Sequence, residues 1–334
     1  MRRIVAVVVG LSLAMAGTSA TIADTINVPA DQPTIEAAIT ASASGDVILI
    51  AAGTYYEANL TTRGRAITVQ GTLNEDGSLA TTIDAQQGGR VFRIGTNEGS
   101  GTVIRDLIIT GGSEFRGGGI YCFLTSPTIR NCTITDNSAQ NGSGIYSRGV
   151  SPTIIDCRIT NNSWNGDQGD GAGIYLQDSL GTISGCTISG NTVTTQFFGG
   201  RGGGIYCTGG SPTITGCTIS NNSAAGLFAG GGGIASESGS VPIISKSELC
   251  GNQPNQINGD YDDAGGNTVA DECPAEKSCP GDVNLDGLVD AADLGVLIAE
   301  WNCTKGCSAD LNEDGLVDSA DLGLLIAGWG FCNP

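Results

Sequence analysis

From Gly101 onward, hydrophobic and polar positions alternate in short runs with no helical spacing. The blocks SPTIRNCTITDN from Ser126, SPTIIDCRITNN from Ser151, LGTISGCTISGN from Leu180 and SPTITGCTISNN from Ser211 interleave Ile with Thr and are bounded by Gly, Pro, Asn or Ser. That is strand chemistry punctuated by turns. A second block runs GGGIYC at Gly117, GSGIYS at Gly142, GAGIYL at Gly171, GGGIYC at Gly202 and GGGIAS at Gly231. A partial copy, GTVIRDLIITGG from Gly101, precedes the array, and a degraded one, VPIISKSELCGN from Val241, closes it. The period, roughly 25 to 31 residues, is that of a solenoid. Two or three short strands per period predict one coil of an all-β parallel β-helix, each coil hydrogen-bonded to the next about 4.8 Å away.

Stacking such coils aligns columns. Ile129, Ile154, Ile183 and Ile214 form one inward column, and Ile134, Ile159, Ile188 and Ile219 another. Between them run Leu107, Cys132, Cys157, Cys186, Cys217 and Ser247. Leu in the same column marks these cysteines as small buried hydrophobes rather than bridges or metal ligands. An asparagine column follows, Asn137, Asn162, Asn191, Asn222 and Asn252, where a left-handed turn residue with an amide that bonds from rung to rung is expected. This column resembles the asparagine ladder of the right-handed β-helix, or pectin-lyase-like, superfamily. The opening INVPADQPTIEAAITASASGDVILIAAGTYYEANL from Ile26 is similar to the N-terminal start of such proteins. Within it, Ile35, Ala38 and Ile39 predict a short amphipathic helix over Pro33 to Ala41 that covers the first coil.

The repeat fades after residue 258, and residues 259–278 gain charge and read as a linker. Beyond it, DVNLDGLVDAAD from Asp282 and DLNEDGLVDSAD from Asp310 carry calcium-loop spacing. Calcium takes hard oxygens from positions 1, 3, 5, 7, 9 and 12 of a twelve-residue loop, with Gly at position 6. The first loop offers Asp282, Asn284, Asp286, the Leu288 carbonyl, Asp290 and Asp293; the second offers Asp310, Asn312, Asp314, the Leu316 carbonyl, Asp318 and Asp321, with Gly287 and Gly315 at the turn. Each loop runs into an apolar helix, LGVLIAEW or LGLLIAGW. Residues 279–334 thus resemble a type I dockerin, a small α-helical module with two calcium loops. The resemblance implies a cohesin-like or other anchoring receptor. At the helix positions expected to meet a cohesin stand Ala291, Ala292, Ser319 and Ala320, and Ile298-Ala299 and Ile326-Ala327 replace a basic pair. An oxidising compartment and the module's small size favour disulfides among Cys279, Cys303, Cys307 and Cys332, with Cys279 to Cys332 one choice among three pairings. Cys250 and Cys273 flank the charged segment and are placed to pair.

Residues 1–23 read as an export signal, with Arg2 and Arg3 before the apolar stretch Ile4 to Ala16 and small residues near Ala20 and Ala23. Residues 24–258 are then the β-helix of a secreted, extracellular or cell-surface protein. No later segment reaches the roughly 18 apolar residues of a membrane span. The formal charge of −19 opposes nucleic acid and favours calcium, and the absence of His removes Ser-His-Asp hydrolysis and most zinc catalysis. The pectin-lyase-like resemblance implies a polysaccharide partner. Lyase chemistry needs a base and a cation beside a uronate carboxylate, and the outward candidates are Arg105, Arg130 and Arg158 with Asp106 and Asp156 nearby. Trp164, Phe197, Phe198 and Phe228, on segments after the asparagine column expected to be loops, are candidates for stacking on sugars. Two readings follow: a protein that binds or degrades extracellular polysaccharide, as a lyase or hydrolase, or a non-catalytic surface or matrix protein.

Overall fold

A computed structural model describes residues 23–95, 101–273, 281–283, 288–304, 307–312 and 314–331. The export signal expected over residues 1–23 lies outside these but for its last residue. Among the described residues no helix is long and apolar enough to cross a membrane.

Each regular coil gives one strand to each of four parallel sheets. In one coil these are Thr128–Arg130 in sheet I, Thr133–Thr135 in sheet II, Ser138–Asn141 in sheet III and Ile145–Arg148 in sheet IV. Among the described residues, sheets I, II and IV hold ten, nine and eight strands, but sheet III only five, a difference that shapes the candidate site below. Register keeps like opposite like. Ile129 pairs with Ile104 and Ile154, Ile134 with Ile109 and Ile159, and Ile145 with Ile120 and Ile174. All of these are fully buried in one continuous core.

The expected columns form. Adjacent strands set neighbouring cysteines at a spacing that a disulfide could bridge. The thiols instead behave as buried donors: Cys157 Sγ donates to the Ile129 carbonyl at 3.6 Å and lies 3.2 Å from that of Ile155, while the Cys157 amide donates to Cys186 Sγ at 3.4 Å. In the asparagine ladder, the backbone N–H and Nδ2 of each residue both donate to Oδ1 of the next, from Asn137 to Asn252, at 2.9–3.1 Å. Gln256 Oε1 terminates the run by accepting from Asn252. One detail differs from expectation. The left-handed residue is not the ladder asparagine but the one before it, Asp136, Asn161, Gly190, Asn221 or Gly251. The asparagines are needed for their amides, which the ladder packs so tightly that a Cβ on Gly204 would lie 2.6 Å from the Gly233 carbonyl and 3.0 Å from Asn222 Nδ2.

The N-terminal helix α1 spans Ile35–Ala41, with Thr34 as its N-cap and Ile35, Ala38 and Ile39 buried against the first coil. At the other end the strands outrun the expected boundary at residue 258. Asp262–Asp263 joins sheet I beside Ile243–Ile244, and Thr268–Ala270 joins sheet II beside Glu248–Cys250. Pairing uses only backbone groups, so exposed acidic side chains do not prevent it, and on a terminal strand they discourage further chains from adding. The Cys250–Cys273 disulfide forms as expected and ties this end down.

In the C-terminal module, α2 spans Ala291–Ala299 and α3 spans Ser319–Ala327. The segment after each helix pairs with a stretch inside the other loop: Leu288 and Val289 lie opposite Phe331 and Gly330, while Asn302 and Cys303 exchange backbone bonds with Val317. Val289, Leu297, Ala309, Val317 and Leu325 make its core, and a Cys303–Cys307 disulfide staples the connection. The expected partners Cys279 and Cys332 lie outside the described residues.

Candidate functional site

Sheet I sets Arg105 and Arg130 side by side, whereas Arg158 lies on sheet II between Thr133 and Thr187. The three candidates are therefore split over two faces. Asp106, expected outward beside them, is instead buried in the left-handed turn between the sheets. Its Oδ2 accepts from Arg105 Nε at 2.7 Å and its Oδ1 from Asn131 Nδ2 at 2.7 Å. A buried carboxylate held by a neighbouring guanidinium and an amide is a turn brace. Asp156 occupies the equivalent turn two coils further on and is exposed.

The aromatic candidates fall on sheet III or just beyond it, because the segments expected to be loops are strands. Trp164 lies in Ser163–Asp170, packs against Ala172, Val193 and Ala224, and donates from Nε1 to the Gln168 carbonyl at 2.6 Å. That position makes it a cover for a small outer core. Phe197 and Phe228 are largely exposed, and Phe198 pairs through its backbone with Gln168; its side chain lies outside the described set.

A column unremarked in the sequence organises the outer face of sheet IV. Tyr121, Tyr146 and Tyr175 stack with ring centroids 5.5 and 5.1 Å apart, and Tyr206 meets Tyr175 edge-on at 4.9 Å. Alongside, the last residues of the sheet III strands form a polar column, Arg116, Asn141, Asp170 and Arg201. At one end Arg201 is neutralised. Asp170 accepts from its Nε and Nη2 at 3.0 and 2.8 Å, Glu237 pairs with Nη1, and Tyr206 donates to Glu237 at 3.1 Å. Burial raises the Asp170 carboxyl above its usual range, with the Arg201 guanidinium opposing that rise.

At the other end the column opens. Sheet III begins with Ser113–Arg116, while sheet IV continues through Phe92–Ile94 and Leu60–Thr61. The step leaves a cavity of about 550 Å³ lined by Asn59, Thr61, Arg90, Arg93, Phe115, Arg116 and Tyr121. Arg93 stands in the tyrosine column, opposite Tyr121, and is exposed. Arg90 lies over the Tyr121 ring at 4.6 Å and pairs with Glu114 at 3.2 Å. Arg116 stacks on Phe115 and Tyr146 at 5.2 and 5.5 Å. The signal was present in GRVFRIG from Gly89 and EFRGGGIYC from Glu114: three of only 15 basic residues, next to the first tyrosine of the repeat.

In the second acidic loop, Asp310 accepts from the amides of Asp314 and Gly315, and Asn312 Oδ1 from that of Asp314. Asp321 is fully buried; its Oδ1 accepts from Leu311 and Asn312 and its Oδ2 from Asp318, closing a capping box with the N-cap Asp318 at the start of α3. The first loop repeats this, with Asp293 accepting from Val283 and Asp290. Loop position 9 is therefore also the helix N-cap, and position 12 its partner in the capping box, roles the spacing alone did not suggest. Asn284, Asp286 and Gly287 lie outside the described residues, as does the side chain of Leu288. Among the described residues no three carboxylates are grouped at a metal-binding point. The donors are nonetheless all oxygen, and each carboxylate oxygen keeps lone-pair capacity beyond the amides that it accepts, which is the chemistry a hard cation takes. Ile298, Trp301, Ile326 and Trp329 leave apolar surface exposed at equivalent places on the two halves.

Comparison with known proteins agrees with this division. Residues 92–273 match the family model described as right handed beta helix region, and residues 280–328 match the dockerin type I domain. Comparison with curated proteins gives no match. Among solved structures the chain is similar to a pectate lyase, Pel9A, at 17% identity and TM-score 0.47, over 68% of this chain and 60% of that one. It is also similar to a pectin methylesterase in complex with hexasaccharide VII, at 13% identity and TM-score 0.41, over 72% of this chain and 80% of that one. The chain thus spans less than two thirds of the lyase's length. Because the first family match takes in more than half of the sequence, the chain belongs to the right handed beta helix family, with a dockerin type I domain behind the solenoid.

Proposed function

We propose that this is an exported protein whose β-helix engages an extracellular polysaccharide while its dockerin domain, folded around calcium, fastens it to a cohesin-type receptor. The observation that carries the reading is the union in one chain of a right handed β-helix and a dockerin type I domain.

In the anchor, Asp282, Asn284, Asp286, the Leu288 carbonyl, Asp290 and Asp293 would hold one ion, and Asp310, Asn312, Asp314, the Leu316 carbonyl, Asp318 and Asp321 the other. Calcium, when bound, supplies the positive charge that lets these crowded oxygens sit together. Asp293 and Asp321 link each loop to the first turn of its helix, so loop order and helix order are coupled. Exposed Ile298 and Ile326, where a basic pair was expected, suit a receptor face with apolar contacts. In the solenoid, binding is favoured over cleavage, since Arg105 is spent on Asp106 and Arg158 stands on a different sheet from Arg130.

The test is affinity electrophoresis of the full chain through neutral and uronate-containing polysaccharides, with unsaturated products and new reducing ends followed in parallel, together with calcium-dependent capture by a cohesin. Retardation by a polysaccharide and capture lost on chelation are the expected results. Silence across the panel overturns the polysaccharide half, and calcium-independent or absent capture overturns the anchor half.

A further inference from the structure

We infer that the step at which sheet III begins is a binding cleft for the anionic group of a polysaccharide, with Arg93 and Arg116 as its charged contacts and Phe115 as its ring face. The inference rests on the proposed polysaccharide role and deepens it by naming a site and a ligand chemistry.

Three guanidinium groups converge on one cavity in a chain whose formal charge is −19, and among the described residues the one carboxylate paired with any of them is Glu114, on Arg90. Among the described residues neither Arg93 nor Arg116 forms an ion pair. The Arg116 Nε is buried with no hydrogen-bond partner. A buried donor left unmade is costly, and no group of the described fold offsets that cost at Arg116 Nε.

The same column supplies its own comparison. Arg201 occupies the corresponding end of a sheet III strand, and there Asp170 and Glu237 neutralise it. The protein therefore has a way to satisfy an arginine at this position and does not use it at Arg116. The guanidinium fork matches the planar carboxylate of a uronate and the oxygens of a sulfate ester equally well. Phe115, 57% exposed beside Arg116, offers an apolar face to the ring that carries the charge, and Asn59 and Thr61 add neutral polar contacts. A volume of about 550 Å³ is within the usual range for a specific ligand site.

The experiment is titration calorimetry of the full-length, calcium-loaded protein with polygalacturonate, a sulfated galactan and a neutral β-glucan, repeated for Arg93→Gln and Arg116→Gln. Arg93 is exposed on its strand, so its variant should melt as the parent does; that control keeps the test independent of folding. Expected are binding to an acidic polymer and not to the glucan, weakening with added salt, and a loss of roughly tenfold in affinity in each variant. Which acidic polymer binds tells carboxylate from sulfate. Undiminished acidic binding in both variants, or glucan bound as tightly as the acidic polymers, overturns the cleft while leaving the polysaccharide role standing. Failure to bind any polymer overturns both.

Discussion

Asn191 shows what one residue does in this solenoid. Its Oδ1 accepts from the backbone N–H and Nδ2 of Asn162, and its Nδ2 donates to the Ile159 carbonyl and to Asn222 Oδ1. Replacing it with Ala removes partners from groups on the coils to either side, in a region closed to water. The expected cost of Asn191→Ala is about 3 kcal/mol, because each buried polar group left unpaired costs ~1–3 kcal/mol. Denaturant unfolding measures it, and a loss below about 1 kcal/mol would show that the ladder relaxes around the gap. The asparagine column was legible because an identical residue recurs at a fixed place in every repeat. Its neighbour's left-handed backbone was not, since Asp, Asn and Gly all serve there and no single letter repeats. The Arg105–Asp106 pair is hidden for a related reason: adjacent charged letters look solvent-facing until the turn is known to bury one of them.

At the scale of the elements, columns of like side chains share one electrostatic fate. The Cys186 thiol is pushed up to about 12, chiefly by its hydrogen bond with Cys157, and burial pushes Cys207 up to about 12 as well. Burial also raises Tyr146, Tyr175 and Tyr206. These groups hold their protons more tightly folded than unfolded. Below the ordinary thiol value of 9.0 both states are protonated and nothing is lost; above it the unfolded chain releases protons that the solenoid keeps, so stability falls from there toward pH 12. Urea midpoints should hold between neutrality and about pH 8.5 and drop by about pH 10.5, with a flat profile counting against the buried columns. Sheet III is the element the sequence concealed. Its strands vary in length, from three residues in Ser223–Ala225 to ten in Thr192–Arg201, so they lack the constant spacing that exposes sheets I, II and IV.

For the whole molecule, the two parts differ in how they are held. The solenoid buries a single long core, whereas the dockerin core has five fully buried apolar residues and one described disulfide. A core that small ordinarily needs a metal or cross-links. Ligand binding to the folded state stabilises it by mass action. Calorimetry of the full chain should therefore show a calcium-dependent transition that shifts down by several degrees or vanishes on chelation, beside a solenoid transition that stays in place. Asp321→Ala, which removes both a proposed ligand and the carboxylate that completes the capping box with Asp318, should lower the first transition even in calcium. A single transition indifferent to chelation would defeat the calcium assignment.

What the sequence determined by itself is everything that repeats, the coil, the inward isoleucines, the cysteine and asparagine columns and the two acidic loops, together with the helical cap, whose apolar spacing is local. Period-two alternation and loop spacing are local rules, and stacking multiplies each into a visible column. What only the tertiary structure decided is where the repeat is broken. Sheet III starts later than sheet IV, and that offset brings Arg90, Arg93 and Arg116 around one cavity, while pairing within sheet III sets Arg201 against Asp170. The strands continue past residue 258 for the same kind of reason, since backbone pairing tolerates side chains that no repeat would select. A local pattern carries no record of such offsets, because they depend on how far each excursion runs before the chain returns to the coil.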